Sequence, residues 1–155
     1  MNARSALLAL AALAAACAPP RIPGTEIPST PDTRAVYDTV MSYRAALERQ
    51  DVPAILTLVS PAYYDTNGTP DPGDDLDRAG LEASLQKDLP RTEGLTVNIM
   101  VRKIDVTGDD AQAEVFFENF YKVKTSTAAV PRRDSDLQLF KLHRIQGAWK
   151  FVSGL

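Results

Sequence analysis

The feature that most constrains the fold is a change in the spacing of apolar residues at Leu95. Before it, apolar side chains recur at the intervals of an amphipathic helix, as in Val36, Val40, Tyr43 and Leu47. From Leu95 onward they recur at every second residue, which is typical of strands. Helices followed by a run of strands predict an α+β domain, with N-terminal helices packed on one face of a curved antiparallel sheet.

Three helices are predicted before this change, over about 31–49, 52–59 and 79–89. Thr30 is a suitable cap for the first helix, because it stands directly before a proline at the first helical position. The segment 66–77 contains Asn-Gly, proline and several aspartates, so it is predicted to be a loop.

The strands are predicted to form a meander. The first covers about 95–106, the second 111–124, the third 136–144 and the last 149–153, with turns at the glycines between them. A loop rich in Ser, Thr, Ala and Pro is expected before the third strand. No second domain or internal repeat is evident.

The second predicted strand carries aromatic side chains on both faces. Phe117 and Tyr121 share one face, and Phe116 and Phe120 share the other. One face of an antiparallel sheet packs on the core and the other ordinarily meets water, so one aromatic pair needs a further cover. A second copy of the chain, a hydrophobic ligand, or the protein's own loops and C-terminus would each supply it.

The N-terminus has the pattern of an export signal. Arg4 precedes an unbroken Ala and Leu run, 6–16, which ends at Cys17, the only cysteine. The pentapeptide 13–17, Leu-Ala-Ala-Ala-Cys, resembles the bacterial lipobox with its leucine one position early. The resemblance implies that 1–16 is a signal peptide and that Cys17 is lipidated. The alternative is an ordinary secretory peptide that is cut elsewhere.

Residues 17–31 hold five of the eleven prolines and are predicted to form an extended tether to one domain, 32–155. Ala18 is not the aspartate that retains many lipoproteins at the inner membrane. The resemblance therefore places the domain in the periplasm, anchored through Cys17 to the outer membrane. In a host that has no outer membrane, the anchor would lie on the cell membrane.

Composition excludes several classes of function. With 17 basic and 20 acidic residues the net charge is −3, and the basic residues are scattered, so we expect no nucleic-acid partner. A single cysteine cannot form an intramolecular disulfide. No motif in the chain implies a cofactor.

Metal and triad chemistry are also disfavoured. His143 is the only histidine, which excludes sites built on several histidines, and we interpret it as an ordinary residue at a strand end. Asp71, Asp74, Asp75 and Asp77 carry oxygen ligands that suit calcium. They lack the EF-hand spacing, so a solvated loop is the preferred interpretation and no metal site is predicted.

The order of elements resembles the nuclear transport factor 2-like superfamily, which includes the polyketide-cyclase (SnoaL-like) and ketosteroid isomerase branches. The resemblance rests on the first-helix run 40–47, the helix corner 49–51, the end of the second helix, the pair 64–65 and the C-terminal segment 147–154. It implies a cone-shaped fold with a pocket between sheet and helices, and a homodimer formed through the sheet. These motifs identify a fold better than an activity.

The resemblance also offers catalytic candidates. Tyr43 lies where the isomerase branch carries its oxyanion donor, and Asp65 lies within about one residue of that branch's general base. No counterpart of its second, protonated acid is evident, because the face to which Glu114 and Glu118 belong is undetermined. The alternative is that Tyr43 is a core tyrosine and Asp65 a turn residue.

The expected pocket lies near Tyr43, Tyr63, Tyr64 and Asp65, and further candidate ligand-binding residues are Asn119 and Tyr121. Because no complete catalytic set is present, the sequence favours a membrane-anchored, non-catalytic module that binds a small apolar ligand or an envelope protein. A small-molecule enzyme of the isomerase or cyclase type is the alternative.

Overall fold

The computed structural model describes residues 19–125 and 127–155. The predicted signal peptide, 1–16, and the predicted lipidation site, Cys17, lie outside the described residues. Within these ranges, no helix combines the length and the apolar character needed to cross a membrane.

Among the described residues, three α-helices precede the main sheet. They are α1 (Pro31–Glu48), α2 (Val52–Thr57) and α3 (Arg78–Asp88), and a 3₁₀ turn, Leu89–Arg91, follows α3. Each α-helix begins at a side-chain cap. The Thr30 hydroxyl accepts from the backbone N of Thr33, and the Thr33 hydroxyl accepts from the N of Thr30 in return. This reciprocal cap satisfies two backbone donors and fixes where α1 starts.

Two antiparallel sheets complete the fold. A small sheet pairs β1 (Tyr64–Asp65) with β2 (Leu76–Asp77), and the main sheet has the order β3-β4-β5-β6. Its strands are β3 (Thr92–Thr107), β4 (Asp110–Lys124), β5 (Ala129–Ile145) and β6 (Ala148–Ser153). Register shifts interrupt β3 between Glu93 and Thr96 and between Val101 and Lys103. Such irregularities bend and twist a strand, which helps the sheet to curve around the helices. The predicted α+β fold class is confirmed.

The core lies between the helices and one face of the main sheet, called here the inner face. On β4 this face carries Ala113 and Val115, both fully buried, and neighbouring strands add Phe140 and Phe151. The opposite face, called the outer face, remains largely in water. The alternation along β4 therefore decides which of its aromatic residues enter the core.

Side chains of α1 close part of the free edge of β3. Arg44 Nε donates to the carbonyl of Val97 at 2.7 Å, and the N–H of Val97 donates to Glu48 Oε1 at 3.0 Å. The Arg44 and Glu48 side chains also form an ion pair at 3.3 Å. One edge residue is thereby fully paired, which discourages association through this edge.

The structure corrects two predicted boundaries. The third strand of the meander begins at Ala129 rather than at 136. Pro131 is tolerated there because β6 does not extend that far, so this part of β5 is a sheet edge at which a backbone N–H is not required. The predicted loop 66–77 is two residues shorter than expected, because Leu76 and Asp77 form β2 against β1.

The described part of the predicted tether, from residue 19, is folded against the domain. Ile22 and Ile27 are each 3% exposed and belong to the core. A turn connects them, in which the N–H of Ile22 donates to the carbonyl of Ile27 at 2.9 Å. Two buried isoleucines hold this segment down, so it is not extended up to Pro31 as the sequence suggested.

Candidate functional site

Tyr43 lies in an aromatic cluster under the sheet. Its ring is 5.9 Å from that of Phe140 and 5.3 Å from that of Phe151, measured between centroids, and the residue is 7% exposed. Burial raises the pKa of Tyr43 far above its ordinary value, and the nearby Tyr63 raises it further. Among the described residues, its hydroxyl has no hydrogen-bond partner. The side chain therefore packs as a core residue.

Tyr63 connects the end of the helical layer to the C-terminal residues. Its hydroxyl accepts from the N–H of Leu155 at 3.1 Å, and it can donate either to the carbonyl of Leu155 at 3.1 Å or to Asp65 at 3.3 Å. Burial is the main cause that raises the pKa of Tyr63, and the carboxylate of Asp65 adds to it. The hydroxyl consequently stays neutral and acts as a hydrogen-bond junction.

Asp65 is held by three donors of its own chain. Oδ2 accepts from the N–H of Gly154 at 2.5 Å and from the Tyr63 hydroxyl at 3.3 Å, and Oδ1 accepts from the N–H of Asn67 at 2.9 Å. A carboxylate has about four acceptor positions, so most of them are already used. The geometry shows Asp65 joining β1, the following loop and the C-terminal segment.

A cleft of about 540 Å³ opens beside Asp65, where β6 ends and β5 continues with β4 as its one partner strand. Its walls include Tyr64, Leu137, Leu139 and Gly154. Tyr64 is 53% exposed, and its hydroxyl binds the carboxylate of Asp75, which is the main cause of the raised pKa of Tyr64. Tyr43 does not line this cleft. Of the predicted pocket residues, Tyr43 therefore lies in the core, whereas Tyr64 and Asp65 line a surface cleft.

Asn119 and Tyr121 lie in a different cleft, of about 380 Å³, beside the 3₁₀ turn and the start of β3. Asp134 also lines it, directly opposite Asn119 on β5. The structure therefore does not bring the six predicted ligand-binding residues into one site.

No acid from β4 reaches the inner face. Glu114 and Glu118 share the outer face with Phe116, and Glu118 pairs there with Arg133 Nε at 3.0 Å. Asp134 is an inner-face acid that the sequence reasoning missed, because the strand was expected to begin two residues after it. The alternation of β5 would have identified it once the strand was extended backward.

The remaining titratable candidates have local partners. His143 Nδ1 lies 2.8 Å from Asp110 Oδ1 on an exposed part of the sheet. In the acidic loop, Asp74 accepts from the Thr69 hydroxyl at 2.8 Å, and Asp71 accepts from a backbone N–H. Across 19–125 and 127–155, no group of three or more potential ligands is arranged to hold a metal ion.

The outer face presents exposed apolar side chains in one region. Met100, Phe116 and Leu137 are aligned across three neighbouring strands and are 65%, 37% and 54% exposed. Leu139 and Phe120 lie near them and are also exposed. Loops among the described residues do not cover this surface, called here the outer apolar patch.

Solved structures with the same architecture are similar to this chain. A conserved protein from Planctomyces limnophilus has a TM-score of 0.68 at 12% identity, over 79% of this chain and 92% of its own. A candidate dehydratase of the nuclear transport factor 2-like family from Streptomyces avermitilis has a TM-score of 0.64 at 20% identity, over 81% and 95%. A ketosteroid isomerase-like protein from Erwinia carotovora atroseptica has a TM-score of 0.65 at 15% identity, over 81% and 95%.

Neither a protein-family model nor a curated protein matches the sequence. At identities of 20% or less, the likeness establishes architecture and leaves activity open. The helices packed on a curved four-stranded antiparallel sheet agree with the structures just described. The chain therefore has the nuclear transport factor 2-like fold.

Proposed function

We propose that this protein is a membrane-anchored lipoprotein whose periplasm-facing domain is a non-catalytic module for binding a ligand or another protein. The observation that carries the non-catalytic part is the separation of Tyr43 from the cleft beside Asp65. A general base and an oxyanion donor must both lie about 3 Å from the reacting atoms of one substrate. Here the candidate oxyanion donor, Tyr43, is enclosed by aromatic rings, and the candidate base, Asp65, is occupied by donors of its own chain.

The proposed anchor rests on the sequence before the described residues. Cys17 follows an apolar run with small residues at the preceding three positions, as in the lipobox that it resembles. Two or more acyl chains hold a protein stably on a bilayer, because each buried methylene contributes about 0.8 kcal/mol. With Ala18 next in the chain, the outer membrane is the proposed destination. A host without an outer membrane would carry the protein on its cell membrane.

Fractionation of the host cells tests the anchor. The unchanged chain should be recovered with membranes and should incorporate a labelled fatty acid. Cys17→Ala should lose the label and leave the membrane fraction, whereas Thr127→Ala, in an exposed turn, should behave as the unchanged chain. A chain that stays on membranes without Cys17, or that never incorporates label, would refute the proposed lipidation.

The proposed partner of the outer apolar patch is a second copy of this chain. Ion pairs border the patch, Arg133 with Glu118 and Arg102 with Glu114, so both signs of charge are present on one surface. A twofold interface brings the same patch of two subunits together, and such a surface is then complementary to itself. Sedimentation equilibrium should show a dimer that Leu137→Glu dissociates, and a strict monomer at high concentration would exclude this partner.

An enzyme of the isomerase or cyclase type is the second candidate. It is favoured by the similarity to a candidate dehydratase and to an isomerase-like protein, and by the position of Tyr63, which lies near Tyr43 on one side and Asp65 on the other. Incubation with a β,γ-unsaturated ketosteroid should produce no conjugated product above the buffer rate. Turnover that is abolished by Asp65→Asn, with the fold intact, would replace the binding function by this one.

A further inference from the structure

A second cleft, separate from the one beside Asp65, has the features of a ligand site. It occupies about 380 Å³ between the end of α3, the start of β3 and the inner face of β4 and β5. Its lining residues are Asp88, Leu89, Arg91, Thr92, Leu95, Asn119, Tyr121, Val123 and Asp134. We propose that this cleft binds a small primary amine in its ammonium form, with a compact apolar body. The inference deepens the proposed binding function and rests on it.

The strongest indication is an unpaired polar atom. The side-chain oxygen of Asn119 is buried and has no hydrogen-bond partner in the described structure. Leaving a buried acceptor unpaired costs about 1–3 kcal/mol, so such atoms are rare in folded proteins unless another molecule completes them. A ligand that donates a hydrogen bond to Asn119 would remove this cost.

A second acceptor lies on the neighbouring strand. Asp134 is the direct cross-strand partner of Asn119, so the two side chains emerge on the same face. The Tyr121 hydroxyl donates to Asp134 Oδ2 at 2.5 Å, which uses its only proton and leaves the other carboxylate oxygen available. The side-chain oxygen of Asn119 and the second carboxylate oxygen of Asp134 are therefore two acceptors on one face of the cleft. An ammonium group has three donors and no acceptor, and it can bridge both side chains.

The rest of the cleft selects the body of the ligand. Leu89 is 8% exposed, and Leu95 and Val123 are half-buried, so one wall is apolar. Asp88 and Arg91 are exposed and carry opposite charges, which leaves the exposed carboxylate of Asp134 as the uncompensated charge among the lining residues. The volume is near the lower end of ligand sites, which span about 300–1,000 Å³, so one ring or a short chain would fit.

Binding by the full chain can be measured with phenethylammonium as the probe, by calorimetry and by amide shifts in heteronuclear spectra. The matched control ligand is 3-phenylpropanoate, which has a similar body and the opposite charge. Phenethylammonium should bind and shift amides of β4 and β5 around Asn119 and Asp134, and 3-phenylpropanoate should not. Equal binding of the two probes would overturn the proposal.

Variants separate a ligand role of Asn119 from a structural one. Asn119→Leu should weaken phenethylammonium binding at least about tenfold and should raise the Tm of the unliganded protein, because an unpaired acceptor has been removed. Asn119→Asp keeps the acceptor and should retain binding. Asn98→Leu, the same change at an exposed position of the outer face, is the control and should leave the affinity unchanged.

A purely structural role of Asn119 would give a different pair of results. A lower Tm and an unchanged affinity in Asn119→Leu would show that Asn119 supports the fold and does not meet a ligand. Failure of the proposed non-catalytic function would give a different result. The unchanged chain would then turn over a substrate, Asp65→Asn would abolish that turnover, and phenethylammonium would still bind at Asn119.

Discussion

Replacing Asp65 by asparagine distinguishes a structural carboxylate from a catalytic one. The change retains one oxygen and converts the other into an NH₂ group. If the oxygen stays on the side of Asn67, the NH₂ group faces the N–H of Gly154, which is a donor, whereas the hydroxyl of Tyr63 can donate to the carbonyl of Leu155 and accept from the NH₂ group. The variant therefore loses the short bond to Gly154 and places donors against each other.

The magnitude follows from these contacts. A hydrogen bond to a charged group contributes about 1.5–3 kcal/mol, and Asp65 is half-buried, so about 2 kcal/mol of stability should be lost. For a domain of this size, that loss corresponds to a fall in Tm of about 6–10 °C. The reduction should occur in the absence of any ligand or substrate.

Chemical denaturation and thermal unfolding of the full chain measure the effect. The control is Asp71→Asn, since Asp71 accepts from Gly73 within one exposed turn and should change stability by less than about 0.5 kcal/mol. The structural role of Asp65 would be refuted if Asp65→Asn unfolded at the same denaturant concentration as the unchanged chain.

Three further perturbations have defined outcomes. Gly154→Ala should lower Tm by several degrees, because the backbone φ is +98° and the added Cβ would lie 2.4 Å from the carbonyl of Leu139. Tyr43→Phe should change the free energy of unfolding by less than about 0.5 kcal/mol at neutral pH, as no hydrogen bond is lost. Burial raises the pKa of Tyr43 above its ordinary value of 10.0 in the folded state. The contribution of the neutral side chain to the free energy of unfolding is therefore fully present below pH 10 and is lost as the pH rises above it. Denaturant midpoints between about pH 9 and pH 11 should therefore fall less in Tyr43→Phe than in the unchanged chain. Asn67→Ala should lower Tm by a few degrees although its backbone N–H still binds Asp65, because the bond from Asn67 Nδ2 to the carbonyl of Asp74 is lost and alanine would stand at a φ of +49°.

The sequence predicted the fold class because its apolar periods are long and consistent. The series along α1 and the alternation along β3 each extend over several turns or residue pairs, and the structure places both against one core. The start of β5 was missed because Pro131 argues against a strand interior, whereas the edge of a sheet tolerates proline. Ile22 and Ile27 were missed because two isolated isoleucines among prolines form no period.

The contacts of the candidate site could not be predicted from the sequence, for physical reasons. Both faces of β4 are apolar enough to enter a core, so the sequence alone left the orientation of Phe116 and Phe117 open. The partner of Asp65 is a backbone N–H 89 residues away, and backbone donors leave no mark in a sequence. The pairing of Arg44 and Glu48 with Val97 depends likewise on strand position. Tyr63 lies between Tyr43 and Asp65, whereas Tyr43 does not line the cleft beside Asp65 and Asn119 lies in a different cleft.

We propose above that lipidated Cys17 holds the domain at a membrane surface. Intact-mass and peptide mass spectrometry of the protein purified from its own host tests this most directly. If Cys17 is lipidated, the mature chain begins at Cys17 and the N-terminal peptide carries the mass of a diacylglyceryl group, with or without a further acyl chain. An N-terminal peptide that contains unmodified Cys17, or a mature chain that begins at a later residue, would contradict it.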